Sequence, residues 1–149
     1  MSKRGIKLKI TLLDRAASHL NGAGASGRAV AADALALPFA NASFDLVSTC
    51  LFVHHLGPDE VVRFVNEGLR VCRIAVIMND LVRSPVHLGL VCVSLPLYRS
   101  RLTHHDAPAS VRQAYTVSEM EGVLQRTRAR RAEIQRHFLF RMGAIAWKE

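Results

Sequence analysis

Leu37-Pro-Phe-Ala-Asn-Ala-Ser-Phe-Asp-Leu-Val-Ser-Thr-Cys50 is the stretch that decides the fold. Its first half, Leu37 to Ser43, is turn chemistry: Pro38 fixes φ, and Asn41 and Ser43 favour a bent backbone. Its second half, Phe44 to Cys50, is a near-continuous apolar run. Such a run after a turn fits a central strand of a parallel sheet, covered on both faces.

Upstream, Ile6, Leu8, Ile10 and Leu12 alternate with Lys7, Lys9 and Thr11. Period two predicts a strand, ending at Asp14-Arg15. A short helical piece, Ala16 to Leu20, follows, then a glycine-rich loop from Asn21 to Gly27. Arg28 to Ala32, leading into Asp33, predicts a second strand, although its alanines suit a helix equally.

Downstream, Pro58 to Arg73 predicts a helix. Pro58 suits the first helical position, and Asp59 and Glu60 suit the positive end of the dipole. Val61, Val62, Val65, Leu69 and Cys72 form one stripe, with Arg63, Asn66, Glu67 and Arg70 largely opposite. Arg73 to Met78 predicts another strand, ending at Asn79-Asp80. Ser84-Pro85 opens an apolar helix reaching about Pro96. Arg99 to Ala114 is polar and mixed, and Thr116-x-x-Glu119 is a capping box. Ala132 to Trp147 predicts two strands turned near Arg141-Met-Gly143. Strands alternating with helices predict an α/β fold with a mostly parallel sheet, and the last pair adds an antiparallel hairpin. No second domain is evident, so residues 1–149 are expected to form one.

The chain has 149 residues, half of them hydrophobic, which argues against disorder. The longest apolar run, Val86 to Tyr98, is broken by Pro96 and too short to span a bilayer. No signal core follows the basic N-terminus, and a cytoplasmic protein is expected. Cys50, Cys72 and Cys92 are widely spaced, which points to reduced core thiols. The net charge of +8 raises nucleic acid or an anionic membrane as a partner. The one dense basic segment, Arg126 to Arg136, has no interleaved aromatics for base stacking. A scattered arginine-rich surface is the favoured account, with no nucleic-acid partner.

Gly22-x-Gly24-x-x-Gly27 matches a dinucleotide fingerprint in letters only. That fingerprint needs a strand directly before its first glycine and a helix directly after its last. Asp14 and Asp33 are more informative, because each ends a strand where open α/β sheets bind ligands. One carboxylate can accept two ribose hydroxyls, and another an adenine amino group. Each Asp could equally cap a turn. His54 and His55, as neighbours, point to different sides and cannot chelate well together. One packed and one pocket-facing imidazole are expected. In His104-His105-Asp106, a carboxylate could orient His105 as a general base; a solvated loop is the other account.

Leu12-Leu-Asp-Arg15, Ala31-Ala-Asp-Ala34, Leu37 to Asp45 and Leu46 to His55, in that order, resemble the motif series of class I S-adenosylmethionine-dependent methyltransferases. Leu37-Pro-Phe, Ser43-Phe-Asp45 and His54-His55 are similar to the ubiquinone/menaquinone-type branch. Glu67-x-Leu-Arg-Val71 resembles the helix before that family's fifth strand. The resemblance implies a Rossmann-like sheet and S-adenosylmethionine as cofactor. It implies that Asp14, with Arg15 beside it, takes the ribose hydroxyls. Asp33 would take the adenine amino group and the Ala34 amide a ring nitrogen. Thr49, Cys50 and Leu51 would lie beside the methionine portion, and residues 85–115 would cap the substrate.

Two features depart from the family. Its first strand and glycine loop should precede Ile6, where only five residues stand, so both are expected to be missing. Its Pro-Gly-Gly turn before the fifth strand is absent from Val71-Cys-Arg-Ile74. The expected function is methyl transfer to a hydrophobic small molecule. The alternatives are an inactive fragment or binding module of the same fold, and a basic nucleic-acid-binding protein.

Overall fold

The fold follows from which strands find partners. The computed structural model describes residues 8–21, 28–97 and 101–149. The chain divides into two units, Met1–Pro38 and Phe39–Glu149.

In the first unit, β1 (Thr11–Asp14) and β2 (Arg28–Ala31) run parallel, with Asp14 opposite Ala31. The Arg28 segment, balanced between strand and helix in sequence, is therefore a strand: its backbone completes the β1 ladder. A short 3-10 turn, Ala17–Leu20, follows β1. The loop carrying Gly22 to Gly27 lies outside the described residues.

The second unit holds β3 (Phe44–Cys50), α1 (Pro58–Val71), β4 (Cys72–Leu81), α2 (Pro85–Ser94), α3 (Arg101–Gln113), α4 (Val117–Leu124), β5 (Arg131–His137) and β6 (Arg141–Trp147). Its sheet has the order β3-β4-β6-β5. β3 and β4 are parallel, whereas β6 is antiparallel to both β4 and β5. The expected closing hairpin is present. The expectation of a single sheet joining the strands that end at Asp14, Asp33, Cys50 and Asn79 is corrected. The described hydrogen-bonded ladders form two sheets, because β1 pairs with β2 and β3 with β4.

The helix α1 buries Val61, Phe64, Val65, Leu69 and Val71. A fully buried valine contributes roughly 1.5–3 kcal/mol, so this stripe is a main source of cohesion. Gly68 lets α1 approach β4 closely, since a Cβ there would lie 2.7 Å from Val76 Cγ2. The helix passes into β4 at Cys72 with no intervening turn, as the missing Pro-Gly-Gly implies. In β6, Met142, Ala144 and Ala146 are buried with period two. Thr116 and Glu119 form the expected capping box, with the Thr116 amide donating to Glu119 Oε2 at 2.8 Å.

Three further expectations are corrected. The polar stretch after Arg99 is helical from Arg101 to Gln113, with Pro108 inside it. The β5–β6 turn is at residues 138–140, not at Arg141-Met-Gly143, which lies within β6. Leu139 and Phe140 adopt φ of 58° and 57°, a left-handed pair of the kind hairpin turns demand. Of the three cysteines only Cys72 is a core thiol, while Cys50 and Cys92 are exposed. No helix among the described residues is long and apolar enough to cross a membrane.

Candidate functional site

Parallel pairing puts the C-terminal ends of β1 and β2 at one edge of their sheet. Asp14 ends β1, and Asp33 follows the last residue of β2 by two positions. The Asp14 carboxylate accepts the Ala16 amide at 2.8 Å and contacts His19 Nδ1 at 3.2 Å. The Ala16 hydrogen bond, and then His19, hold its pKa below the ordinary carboxylate value. Asp14 is therefore an ionised acceptor with lone pairs to spare, since two carboxylate oxygens offer about four acceptor sites. Asp33 is exposed, and its Oδ1 accepts the Leu35 amide at 2.8 Å. Each acid thus does the turn-capping job the sequence allowed. Arg15 is exposed beside Asp14, and Ala34 is half-buried.

The equivalent edge of the second sheet is built from the ends of β3 and β4. Thr49 and Cys50 are the last residues of β3, opposite Met78 and Asn79. Leu51 leaves the strand with φ of 55°, and its amide donates to the Asn79 carbonyl at 2.9 Å. The chain then makes a 3-10 turn, Val53–His55.

This turn carries a feature that sequence reasoning missed. His54 Nδ1 lies 2.6 Å from Asp80 Oδ1, and the His54 amide donates to Asp80 Oδ2 at 3.1 Å. Both side chains are nearly inaccessible, at 5% and 3% exposure. Asp80 engages the Nδ1 side of the ring, which leaves Nε2 as the ring nitrogen outside the pair. The register of β3 against β4 carried the only sequence signal: parallel strands ending at Cys50 and Asn79 bring the next residues of both together.

His54 is the packed imidazole of the expected pair, and His55 is exposed. The two rings are 4.0 Å apart between centroids. Burial first, and then His54, lower the pKa of His55, against opposing pulls from Asp80 and Asp106. Asp106 reaches it because α3 packs on the 3-10 turn. Tyr115 closes the cluster by donating its hydroxyl to the Leu56 carbonyl at 2.6 Å. His105 is 86% exposed and contacts only its neighbour Asp106, at 3.2 Å, among the hydrogen bonds described. The structure thus brings His54, His55, Asp80 and Asp106 together, and leaves His105 facing solvent.

Residues 2–77 match the methyltransferase domain family, more than half of the chain. The chain belongs to that family, with the α/β fold of class I S-adenosylmethionine-dependent methyltransferases. Among solved structures, a plantazolicin methyltransferase in complex with a triazolic desmethylPZN analog and SAH is similar at a TM-score of 0.69 and 10% identity, covering 95% of this chain and 67% of that one. A SAM-dependent methyltransferase from Methanosarcina mazei is similar at a TM-score of 0.61 and 18% identity, covering 94% and 82%. A structure from Nostoc punctiforme PCC 73102 is similar at a TM-score of 0.62 and 13% identity; the match covers 94% of this chain but only 45% of the Nostoc protein. No curated protein sequence matches the chain.

Proposed function

We propose that the chain binds S-adenosylmethionine and takes part in methyl transfer to a hydrophobic small molecule. The observation that carries this is the pair of acids at one edge of the parallel β1–β2 sheet, in a chain of the methyltransferase domain family. Asp14 accepts the ribose hydroxyls through the lone pairs its own turn leaves unused. Asp33 accepts the adenine amino group, and the Ala34 amide donates to a ring nitrogen.

Methyl transfer from a sulfonium is an in-line displacement, so alignment and exclusion of water are the main tasks. A base is needed only for an acceptor whose nucleophile carries a proton. Nε2 of His54, oriented by Asp80, is better placed for that than His105, because His54 is shielded from water and held by a carboxylate. Residues 85–115 form the acceptor side, consistent with their apolar first helix.

The test is calorimetric titration with S-adenosylmethionine. Asp14→Ala should weaken binding by roughly 1–3 kcal/mol, the value of lost charge-assisted hydrogen bonds. Unchanged affinity would remove Asp14 from the site.

A further inference from the structure

A cleft of about 330 Å³ opens beyond the C-terminal end of β4, at the start of the 85–115 segment, and its lining includes none of Asp14, Asp33, His54 and Asp80. Its apolar walls are Val82, Pro85 and Phe140. Its polar walls are Arg83, Arg136, Arg141 and His137, with no carboxylate among the lining residues.

The topology explains why these cations meet. Arg141 of β6 lies opposite both Leu81 of β4 and His137 of β5, so the hairpin tip and the end of β4 share one edge. Gly143 leaves room for the His137 ring, since a Cβ there would come within 2.6 Å of Nε2. His87 stacks on Phe140, with centroids 4.7 Å apart and planes 6° from parallel. This contact holds the first turn of α2 against the hairpin. That turn contains no acidic residue, and Ser84 makes no side-chain cap, so the positive end of the helix dipole has no internal counter-charge.

Arg83 is paired with Glu119, but the other two cleft arginines carry no ion pair among the described residues. The ion pairs described engage Arg70, Arg73, Arg83, Arg126 and Arg131, but neither Arg136 nor Arg141. Arg141 has only a long contact to Asn79 Oδ1, at 3.5 Å. Around the cleft, Val86, Leu90, Phe138 and Leu139 are more than half exposed, which leaves apolar surface beside the arginines.

We propose that this cleft binds the anionic group of a small amphiphilic molecule, a carboxylate or phosphate on an apolar body, and that this molecule is the methyl acceptor. The first half stands on the cleft alone. The second half rests on the methyl-transfer reading above. Guanidinium groups suit such anions because their planar donor fork engages two oxygens at once. Phe140 and the exposed residues of α2 receive the apolar body.

The experiment is calorimetric titration of the 149-residue chain, without cofactor, with phenyl phosphate, inorganic phosphate and phenol. Phenyl phosphate should bind more tightly than either fragment, and more weakly as salt rises. Arg136→Gln and Arg141→Gln should each weaken it about ten-fold, the loss expected for one charge-assisted hydrogen bond. Arg126→Gln, outside the cleft, should leave it unchanged. Absence of binding, wild-type affinity in both cleft variants, or binding to phosphatidylglycerol vesicles without binding to phenyl phosphate would overturn the proposal. Asp14→Ala should leave phenyl phosphate binding intact. Intact phenyl phosphate binding in a chain indifferent to S-adenosylmethionine would keep the anion cleft and refute its ligand as a methyl acceptor.

Discussion

Asp14 and Asp80 both stand at the C-terminal ends of parallel strands, yet their carboxylates serve different ends. Asp14 is 40% exposed and holds only its own turn, through Ala16 and His19. Asp80 is 3% exposed and holds His54, a residue of the 3-10 turn that follows β3. An acid satisfied locally and left in solvent keeps acceptor capacity for a ligand. An acid buried against a long-range partner is committed to that partner. The first kind can be removed at little structural cost, whereas the second cannot.

The largest expected effect breaks the buried pair. Asp80→Ala should destabilise the protein by roughly 3–5 kcal/mol, the cost of stripping one partner from a buried hydrogen-bonded pair. Urea denaturation reads this directly. A loss below about 1 kcal/mol would mean that His54 finds another partner or water. Next is the closest approach of helix to sheet. Gly68→Ala should cost about 1–3 kcal/mol, because its Cβ would meet Val76 within the core. A neutral result would show that α1 can shift away from β4.

Asp14→Ala should change stability by no more than about 0.5 kcal/mol, while weakening cofactor binding as stated above. A stability loss comparable to that of Asp80→Ala would erase the contrast between the two acids. The smallest effect concerns pH. His55 has a pKa below its usual 6.5 in the folded chain. On acidification through 6.5, the unfolded chain therefore takes up this proton before the folded one does, and stability falls. His55→Gln should lessen the loss of stability between about pH 7.5 and about pH 5.5. An identical pH profile in the variant would show that His55 titrates alike in both states.

What could be read from the sequence was local. The Thr116 capping box depends on a spacing of three residues and is where the sequence put it. The stripe of α1 keeps Val61, Val65 and Leu69, but Phe64 and Val71 are buried in place of Val62, and Cys72 belongs to β4. β3 is a strand as expected, but it stands at the edge of its described sheet with no buried residue, not at the centre, because Asp45, Ser48 and Thr49 interrupt its apolar positions. The segment from Arg28 needed β1 to make it a strand, since its alanines carry no period. α3 was hidden by Pro108 and by a polar composition that packing overrides. The hairpin tip was hidden because Phe138-Leu-Phe140 contains none of the usual turn residues. The acids at the β1 and β2 ends were legible, because a strand followed by Asp is a local signal. The His54–Asp80 contact was not, because it joins residues brought together only by the β3–β4 register.

The central claim is that the β1–β2 edge receives the adenosine half of the cofactor. Its most direct measurement is a two-dimensional amide NMR titration of the chain with S-adenosylmethionine, a method sensitive to weak binding. The account predicts that the amides of Asp14 to Ala16 and Asp33 to Leu35 shift together along one binding curve, and that Asp14→Ala abolishes or greatly weakens the response. Binding that leaves both groups of amides unmoved, or survives Asp14→Ala unchanged, would contradict it.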